Sequence, residues 1–168
     1  MARANFSRPP GQTSEFVDLP AGRIHVAKTG KGTPVFMLHG WPEFSAVWNP
    51  LSHHVHGQFC LIAPDMLGFG HSTMPSGPRD DLGADGQADI VIGLLDHFEI
   101  PAAHFVAHDS GAYVLQSLAK RHPSRIRRLL FFNCPTPGVG NRWIENGHFN
   151  HIWYTSFHQF PWVADLVG

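Results

Sequence analysis

Hydrophobic positions along the chain alternate between short continuous runs and stretches with helical spacing. Two short runs joined by a Pro-Ala-Gly turn, 15–19 and 23–28, predict a β-hairpin. Nearly continuous apolar runs bounded by Gly, Pro or polar residues predict buried strands at 34–39, 59–63, 103–108 and 126–133. Between them, apolar residues that recur every three or four positions predict amphipathic helices. These residues are Ala88, Val91, Ile92, Leu95 and Phe98 in one segment, and Ala112, Leu115, Leu118 and Ala119 in the next.

The order of these elements predicts an α/β fold. A hairpin followed by alternating strands and helices builds a mostly parallel sheet with helices on both faces. We expect a flexible N-terminal tail at 1–14, the core at 15–134, and the beginning of a helical lid at 135–168, where Pro, Gly and aromatic residues replace the strand pattern. The apolar segment 129–132 has no later strand to pair with, and this unpaired sheet edge predicts self-association.

Composition narrows the function classes. The 168 residues suit one compact domain, and 43% apolar with 15% charged residues is typical of a globular chain. A net charge of −1 leaves no basic surface for a nucleic acid. No apolar stretch resembles a signal peptide or is long enough to span a bilayer, so we expect a cytoplasmic protein with no membrane partner.

Three polar segments follow predicted parallel strands at their C-terminal ends. Their sequences are HGWPE at 39–43, DMLGFGHS at 65–72 and AHDSGA at 107–112. Open α/β sheets bind their ligands beyond the carboxyl ends of the strands. The three segments are therefore expected to form one site.

The third segment predicts a nucleophile elbow, a tight turn between a strand and a helix. Such a turn needs small residues two positions before and after the nucleophile, because strand and helix approach closely there. Centring the turn on Asp109 places Ala107 and Gly111 at these positions, whereas centring it on Ser110 places the bulky His108 at the first of them. The pattern favours Asp109 over Ser110.

A carboxylate nucleophile indicates a particular reaction class. An ionised carboxylate can displace a leaving group from saturated carbon and become esterified. Hydrolysis of that ester passes through an oxyanion, which needs two backbone N–H donors. The N–H of Ser110 is one expected donor, and the second is expected from the loop that contains Trp41 and Pro42.

The motifs HGWP, DMLGFGHS and AHDSGA together resemble the α/β-hydrolase superfamily. The resemblance is to its Asp-nucleophile branch of epoxide hydrolases and haloalkane or haloacid dehalogenases. It implies that Asp109 is the nucleophile, that Trp41 and Ser110 supply the oxyanion-hole N–H groups, and that the Trp41-Pro42 bond is cis. It implies a small apolar substrate and no cofactor. The substrate pocket implied by the resemblance contains His39, Gly40, Pro42, His108 and Trp153.

Within the branch, the sequence favours epoxide hydrolysis over dehalogenation. Haloalkane dehalogenases typically hold the halide with a Trp after the nucleophile, and fluoroacetate dehalogenases use an Arg there, but this chain has Ser110. The segment 153–161 resembles the first lid helix of epoxide hydrolases, which implies that Tyr154 is the lid acid. Dehalogenation by the same Asp109 remains the alternative.

The resemblance also requires a His base and a relay acid after later strands. None of the thirteen His residues fits the role, so both are predicted beyond residue 168, and the chain is interpreted as the front part of such an enzyme. No metal site is expected, since His148, His151 and His158 have no Cys or carboxylate at ligand spacing.

Simpler interpretations stay open. Asp109 is also consistent with an inert helix cap, Trp41 with a core residue, and Tyr154 with a packed aromatic. A non-catalytic ligand-binding protein and an inactive fragment are the alternatives of another class.

Overall fold

The computed structural model describes residues 6–74 and 82–134. The strands are β1 (Thr13–Leu19), β2 (Gly22–Thr29), β3 (Thr33–Leu38), β4 (Phe59–Pro64), β5 (Ala103–His108) and β6 (Ile126–Phe132). The α-helices are α1 (Asn49–Val55), α2 (Ala84–His97) and α3 (Asp109–Arg121). Two short 3-10 helices occupy Ser45–Trp48 and Pro123–Arg125. Every predicted strand and both predicted helices are present, with ends shifted by a few residues.

The described strands form one sheet in the order β1-β2-β4-β3-β5-β6. β4, β3, β5 and β6 run parallel to one another, while β2 of the β1–β2 hairpin pairs with β4 in the antiparallel sense. The predicted mostly parallel α/β sheet is confirmed. The sequence pattern did not show which strand the hairpin would join.

Apolar side chains cover both faces of the sheet, as predicted. The larger cluster packs the sheet against α2 and α3 and includes the buried Phe36, Phe105, Leu94 and Leu115. The second cluster contains strand residues that point to the opposite face, such as Val35 and Met37. It includes Trp48, the last residue of the first 3-10 helix, and packs against Val55, the last residue of α1. Both clusters bury strand residues on β3, which explains its continuous apolar run.

Part of the expected flexible tail is attached to the core. The Gln12 side chain donates to Oδ1 of Asn49 at 2.9 Å, and Nδ2 of Asn49 donates to the Phe6 carbonyl at 2.9 Å. His53 adds a hydrogen bond to the Ser7 carbonyl at 3.1 Å. These hydrogen bonds connect the segment 6–12 to polar side chains of α1, and the flexibility of the tail 1–14 stays a prediction.

Strand β6 lies at one edge of the described sheet. Its exposed apolar side chains are those of Leu129, Leu130 and Phe132. Self-association through this edge stays a prediction. No helix within the described ranges is long and apolar enough to cross a membrane.

Candidate active site

The sheet register brings the three polar segments to the same end of neighbouring strands. Leu38 of β3 pairs with Ala107 of β5, so the residues that follow each of them leave the sheet side by side. On the other side of β3, Phe36 pairs with Ile62 of β4, which places Asp65, the residue that follows β4, at the same end. The three segments therefore lie together at one end of the sheet, and their forming one functional site stays a prediction.

Asp109 lies at the turn between β5 and α3. Its φ angle is +50°, in the left-handed region that costs a non-glycine residue roughly 1–3 kcal/mol. A Cβ on Gly111 would lie 2.5 Å from the His39 carbonyl oxygen and 2.6 Å from that of Leu38. The close packing that requires a small residue at Gly111 therefore centres the turn on Asp109, and its role as the nucleophile stays a prediction.

The loop after β3 directs a backbone donor at Asp109. The N–H of Trp41 donates to Oδ1 of Asp109 at 2.9 Å. The peptide bond between Trp41 and Pro42 is cis, as the resemblance implied. The Trp41 residue is 42% exposed, so the interpretation of its side chain as a core residue was wrong. The N–H of Trp41, one of the two predicted oxyanion-hole donors, thus forms a hydrogen bond to the carboxylate of Asp109.

Ser110 follows Asp109 in the first turn of α3. First-turn N–H groups lack partners within the helix and are suited to an anion. The hydroxyl of Ser110 is buried and has no hydrogen-bond partner among the described residues. The role of its backbone N–H as the second oxyanion donor stays a prediction.

His39 shapes the loop instead of facing solvent. Its ring is fully buried, with Nδ1 donating to the Gly40 carbonyl at 2.8 Å and Nε2 accepting from the Met66 N–H at 2.9 Å. Because Nε2 is an acceptor, the ring is neutral in this arrangement. Burial lowers the pKa of His39 below its ordinary value of 6.5, which favours the same neutral form.

Asp65 is a buried carboxylate that links three segments of the chain. It accepts the N–H of Ser45 at 2.7 Å, the N–H of His71 at 2.8 Å and Nδ1 of His25 on β2 at 3.0 Å. Ser72 adds a bond from its hydroxyl to the Asp65 carbonyl at 2.6 Å. These contacts give the segment 65–72 a structural task, which is to hold the loops around the site.

Glu43 and His108 form a pair that the sequence analysis did not predict. Oε2 of Glu43 accepts Nε2–H of His108 at 2.9 Å and the N–H of Gly40 at 3.2 Å. The His108 ring is parallel to Phe132, with 5.4 Å between centroids, and meets Trp48 edge-on at 5.3 Å. The position of Glu43 in the HGWPE segment was the available signal, but its partner lies 65 residues away.

A cavity of about 430 Å³ begins beside Ser110. Its size is within the usual range for small-molecule sites. Its described lining is mostly apolar and consists of Met66, Phe69, Leu82, Ala84, Gln87, Ser110, Tyr113 and Val114. His39, Gly40, Pro42 and His108 are not among these residues, so their place in a substrate pocket stays a prediction.

Tyr113 is a second residue that sequence reasoning missed. It lies four residues after Asp109 on α3, a spacing that places both on one helix face. Partial burial, followed by the nearby Cys134 and Asp109, raises the pKa of Tyr113 above 10.0. The phenol is therefore protonated at neutral pH and available as a hydrogen-bond donor.

Two predicted site residues lie in the part of the chain that the structure does not describe. Trp153 and Tyr154 lie outside the described residues, as do His148, His151 and His158. Within residues 6–74 and 82–134, no group of three His, Cys, Asp or Glu side chains could hold a metal ion.

Comparison with known proteins identifies a family match over most of the chain. Residues 33–166 match the model of the alpha/beta hydrolase fold family. The match begins at β3 and includes all three polar segments described above.

Curated relatives with similar sequences have several different activities. The chain is 31% identical over 124 residues to a haloalkane dehalogenase of Agrobacterium fabrum, covering 73% of this chain and 40% of the relative. It is 35% identical over 140 residues to a 2-hydroxymuconate semialdehyde hydrolase of a Pseudomonas strain, covering 76% and 47%. It is 28% identical over 161 residues to epoxide hydrolase 1 of Caenorhabditis elegans, covering 94% and 40%. The chain thus spans less than half the length of these relatives.

A solved structure supports the same fold. The chain matches a candidate epoxide hydrolase from Pseudomonas aeruginosa with a TM-score of 0.70 and 24% sequence identity. The match covers 73% of this chain and 41% of that structure. At this identity the comparison shows the fold and does not select a substrate.

Proposed function

Because this chain belongs to the α/β-hydrolase fold family, we propose that it is part of an epoxide hydrolase with Asp109 as the nucleophile. The observation that carries the proposal is the position of Asp109 at the strained elbow, with its Oδ1 accepting the Trp41 N–H at 2.9 Å. An inert cap does not need a left-handed backbone or a donor from another loop.

The first step forms an ester. One carboxylate oxygen of Asp109 attacks a ring carbon of the epoxide, and the electron pair of the breaking C–O bond goes to the ring oxygen. The resulting alkoxide takes a proton from a hydrogen-bond donor and becomes a hydroxyl group. Tyr154, from the resemblance, is the proposed donor, and Tyr113 is the described phenol that lines the cavity.

The second step releases the product. Water adds to the ester carbonyl carbon, and the negative charge collects on the carbonyl oxygen of the Asp109 ester. The N–H groups of Trp41 and Ser110 are proposed to stabilise that charge. The intermediate then collapses to the protonated Asp109 carboxyl and an alkoxide. The alkoxide takes the proton that a base removed from the attacking water and becomes the vicinal diol, and the carboxyl proton returns to the tyrosine that donated in the first step. The water needs a base, which we propose, from the resemblance to epoxide hydrolases, is a histidine beyond residue 168.

The cavity supports a small apolar substrate. Most of its described lining is aliphatic or aromatic, as in Met66, Phe69 and Val114, and it adjoins the residue that follows Asp109. Burying such a substrate contributes about 25 cal/mol per Å² of apolar surface. A styrene oxide-sized epoxide fits the chemistry and the volume.

Dehalogenation by Asp109 is the second candidate. The 31% identity to a haloalkane dehalogenase favours it, and the first step differs only in the leaving group. A halide would depart in place of the alkoxide, so no proton donor is needed. The measurement that separates the two functions is halide release from chloroalkanes against diol formation from styrene oxide.

The test of the proposal is the Asp109→Asn variant of the complete protein that carries this sequence. We expect diol formation to fall by on the order of 10⁴-fold or more, because an amide is not a nucleophile at saturated carbon. Mass spectrometry after brief incubation with styrene oxide should show an adduct on Asp109 in the wild type and none in the variant. Asp18→Asn, an exposed carboxylate on β1, is the matched control and should behave as the wild type.

Each other outcome has a definite meaning. Undiminished turnover by Asp109→Asn would refute the nucleophile assignment. Halide release without diol would replace epoxide hydrolysis with dehalogenation. Tight binding of the epoxide with no adduct and no diol would favour a non-catalytic binding protein.

A further inference from the structure

The Glu43–His108 pair connects the loop that contributes the oxyanion donor to the strand that carries the nucleophile. Gly40 precedes Trp41, the donor residue, and His108 precedes Asp109. Oε2 of Glu43 bonds to both Gly40 N–H and His108 Nε2–H. One carboxylate oxygen therefore connects the two backbone positions that immediately precede the reacting pair.

The other hydrogen bonds described for this loop do not reach β5 except through the reacting groups. The Gly40 carbonyl accepts from Nδ1 of His39 at 2.8 Å and from the N–H of Glu43 at 3.1 Å, and both bonds stay within the loop. Trp41 N–H to Asp109 is the contact that catalysis would use. Among the described hydrogen bonds, the Glu43 carboxylate is the element that fixes the loop to β5 without involving the reacting groups.

The His108 end of the pair is held rigidly. Its ring lies parallel to Phe132 at 5.4 Å and edge-on to Trp48 at 5.3 Å, so aromatic contacts on two sides restrict its rotation. The His108 side chain is 14% exposed and that of Glu43 34% exposed, so solvent weakens their bond only in part. The restricted His108 ring and the partly buried Glu43 carboxylate are therefore expected to form a persistent hydrogen bond, unlike an ion pair between two exposed side chains.

We propose that Glu43 is a positioning residue, which through His108 holds the Trp41 N–H at the carbonyl oxygen of the Asp109 ester. This deepens the proposed function and rests on it. Its effect belongs to the second step, because the oxyanion forms on the Asp109 carboxyl during ester hydrolysis. Loss of the pair should slow hydrolysis of the ester more than its formation, so kcat and KM for the epoxide should fall together while kcat/KM stays nearly unchanged.

Two variants remove the same bond from opposite ends. Glu43→Ala removes the acceptor, and His108→Phe removes the donor while keeping a ring that can pack against Phe132 and Trp48. We expect each to reduce ester hydrolysis about tenfold to a hundredfold, the size typical of a misplaced catalytic group. The ester on Asp109 should then accumulate in rapid-quench mass spectrometry. The double variant should be no slower than the slower single variant, since both remove one interaction.

Conservative replacement separates positioning from a need for negative charge. Glu43→Gln keeps an acceptor oxygen for both N–H groups and should restore most of the hydrolysis rate. Glu15→Ala, which removes a carboxylate paired with Lys28 on the hairpin, is the matched control and should not change the ratio of the two steps.

A measurement without substrate keeps the inference independent of the reaction. Hydrogen exchange of the Trp41 amide should accelerate at least tenfold in Glu43→Ala and in His108→Phe, but not in Glu43→Gln. If exchange accelerates while Asp109→Asn remains active, the positioning stands and the proposed function fails. If the Trp41 amide is unaffected, or if both chemical steps fall equally together with thermal stability in both variants, the pair is structural and the inference is overturned. If either Glu43→Ala or His108→Phe does not fold, the Trp41 exchange rates of the other variant and of Glu43→Gln decide between these outcomes.

Discussion

Gly40→Ala tests how tightly the loop and the nucleophile must approach. A Cβ at residue 40 would lie 2.7 Å from Cβ of Asp109 and 3.1 Å from its Oδ1. Ordinary contact begins at 3.4 Å, so the two carbons must separate by at least about 0.7 Å. If the same separation occurs between the Trp41 nitrogen and Oδ1 of Asp109, their distance increases from 2.9 Å to about 3.6 Å, which is too long for a hydrogen bond.

The expected result is a large loss of activity with a moderate loss of stability. Removing one oxyanion-hole donor costs on the order of 10²–10³-fold in kcat. Overpacking a close contact costs about 1–3 kcal/mol of unfolding free energy, which thermal and urea unfolding can measure. The substitution should therefore lower diol formation in the complete protein far more than it lowers the fraction of folded protein at 25 °C.

The control is Gly57→Ala, because a Cβ there would meet nothing within 4 Å. It should leave both activity and stability near the wild-type values. A folded Gly40→Ala variant whose diol formation stays within twofold of the wild type would refute the argument that the Gly40–Asp109 approach positions the donor.

Three further predictions follow from other contacts. The unfolding free energy should decrease as pH falls below about 6.5, because the unfolded state protonates His39 while burial keeps it neutral in the folded state. Urea unfolding at several pH values should show a smaller decrease of unfolding free energy with pH for His39→Gln than for the wild type. An equal decrease in both proteins would contradict this prediction. Ser110→Ala should keep wild-type activity, because the proposed oxyanion donor is the backbone N–H and not the hydroxyl. It should change the unfolding free energy by less than about 1 kcal/mol, because the hydroxyl has no hydrogen-bond partner among the described residues. A large loss of rate in steady-state kinetics would instead assign the donor role to the hydroxyl. Leu130→Lys should reduce self-association of the 168-residue chain in gel filtration, since it places a charge on an exposed edge strand; an unchanged elution volume of an associated species would exclude this edge as the interface.

The sequence predicted the parts of this structure that depend on local pattern. Strand β3 is apolar on both faces because it is covered on both, and this makes its run visible without any tertiary information. The choice of Asp109 over Ser110 came from the size of neighbouring residues, and the position of Gly111 against the Leu38 carbonyl shows the contact responsible.

Contacts between distant segments were beyond that reasoning. The bond of Glu43 to His108 depends on the register of β3 against β5 and on the turn that follows β3, neither of which leaves a periodic pattern. The same holds for His25 and Asp65, which meet because β2 enters the sheet beside β4. Polar residues carry no periodic signal, so their partners become visible only when the strand order is known.

The buried Asp65 has a practical consequence for protein engineering. Its carboxylate binds His25 of the hairpin as well as the backbone of the loops that follow β3 and β4. Trimming the amino terminus up to β3, to shorten the chain for crystals or a fusion partner, would remove one of its three donors and leave a desolvated anion short of a partner, at a cost of about 1–3 kcal/mol. The first two strands are thus an anchor for distant loops, and shortened versions should start no later than Thr13.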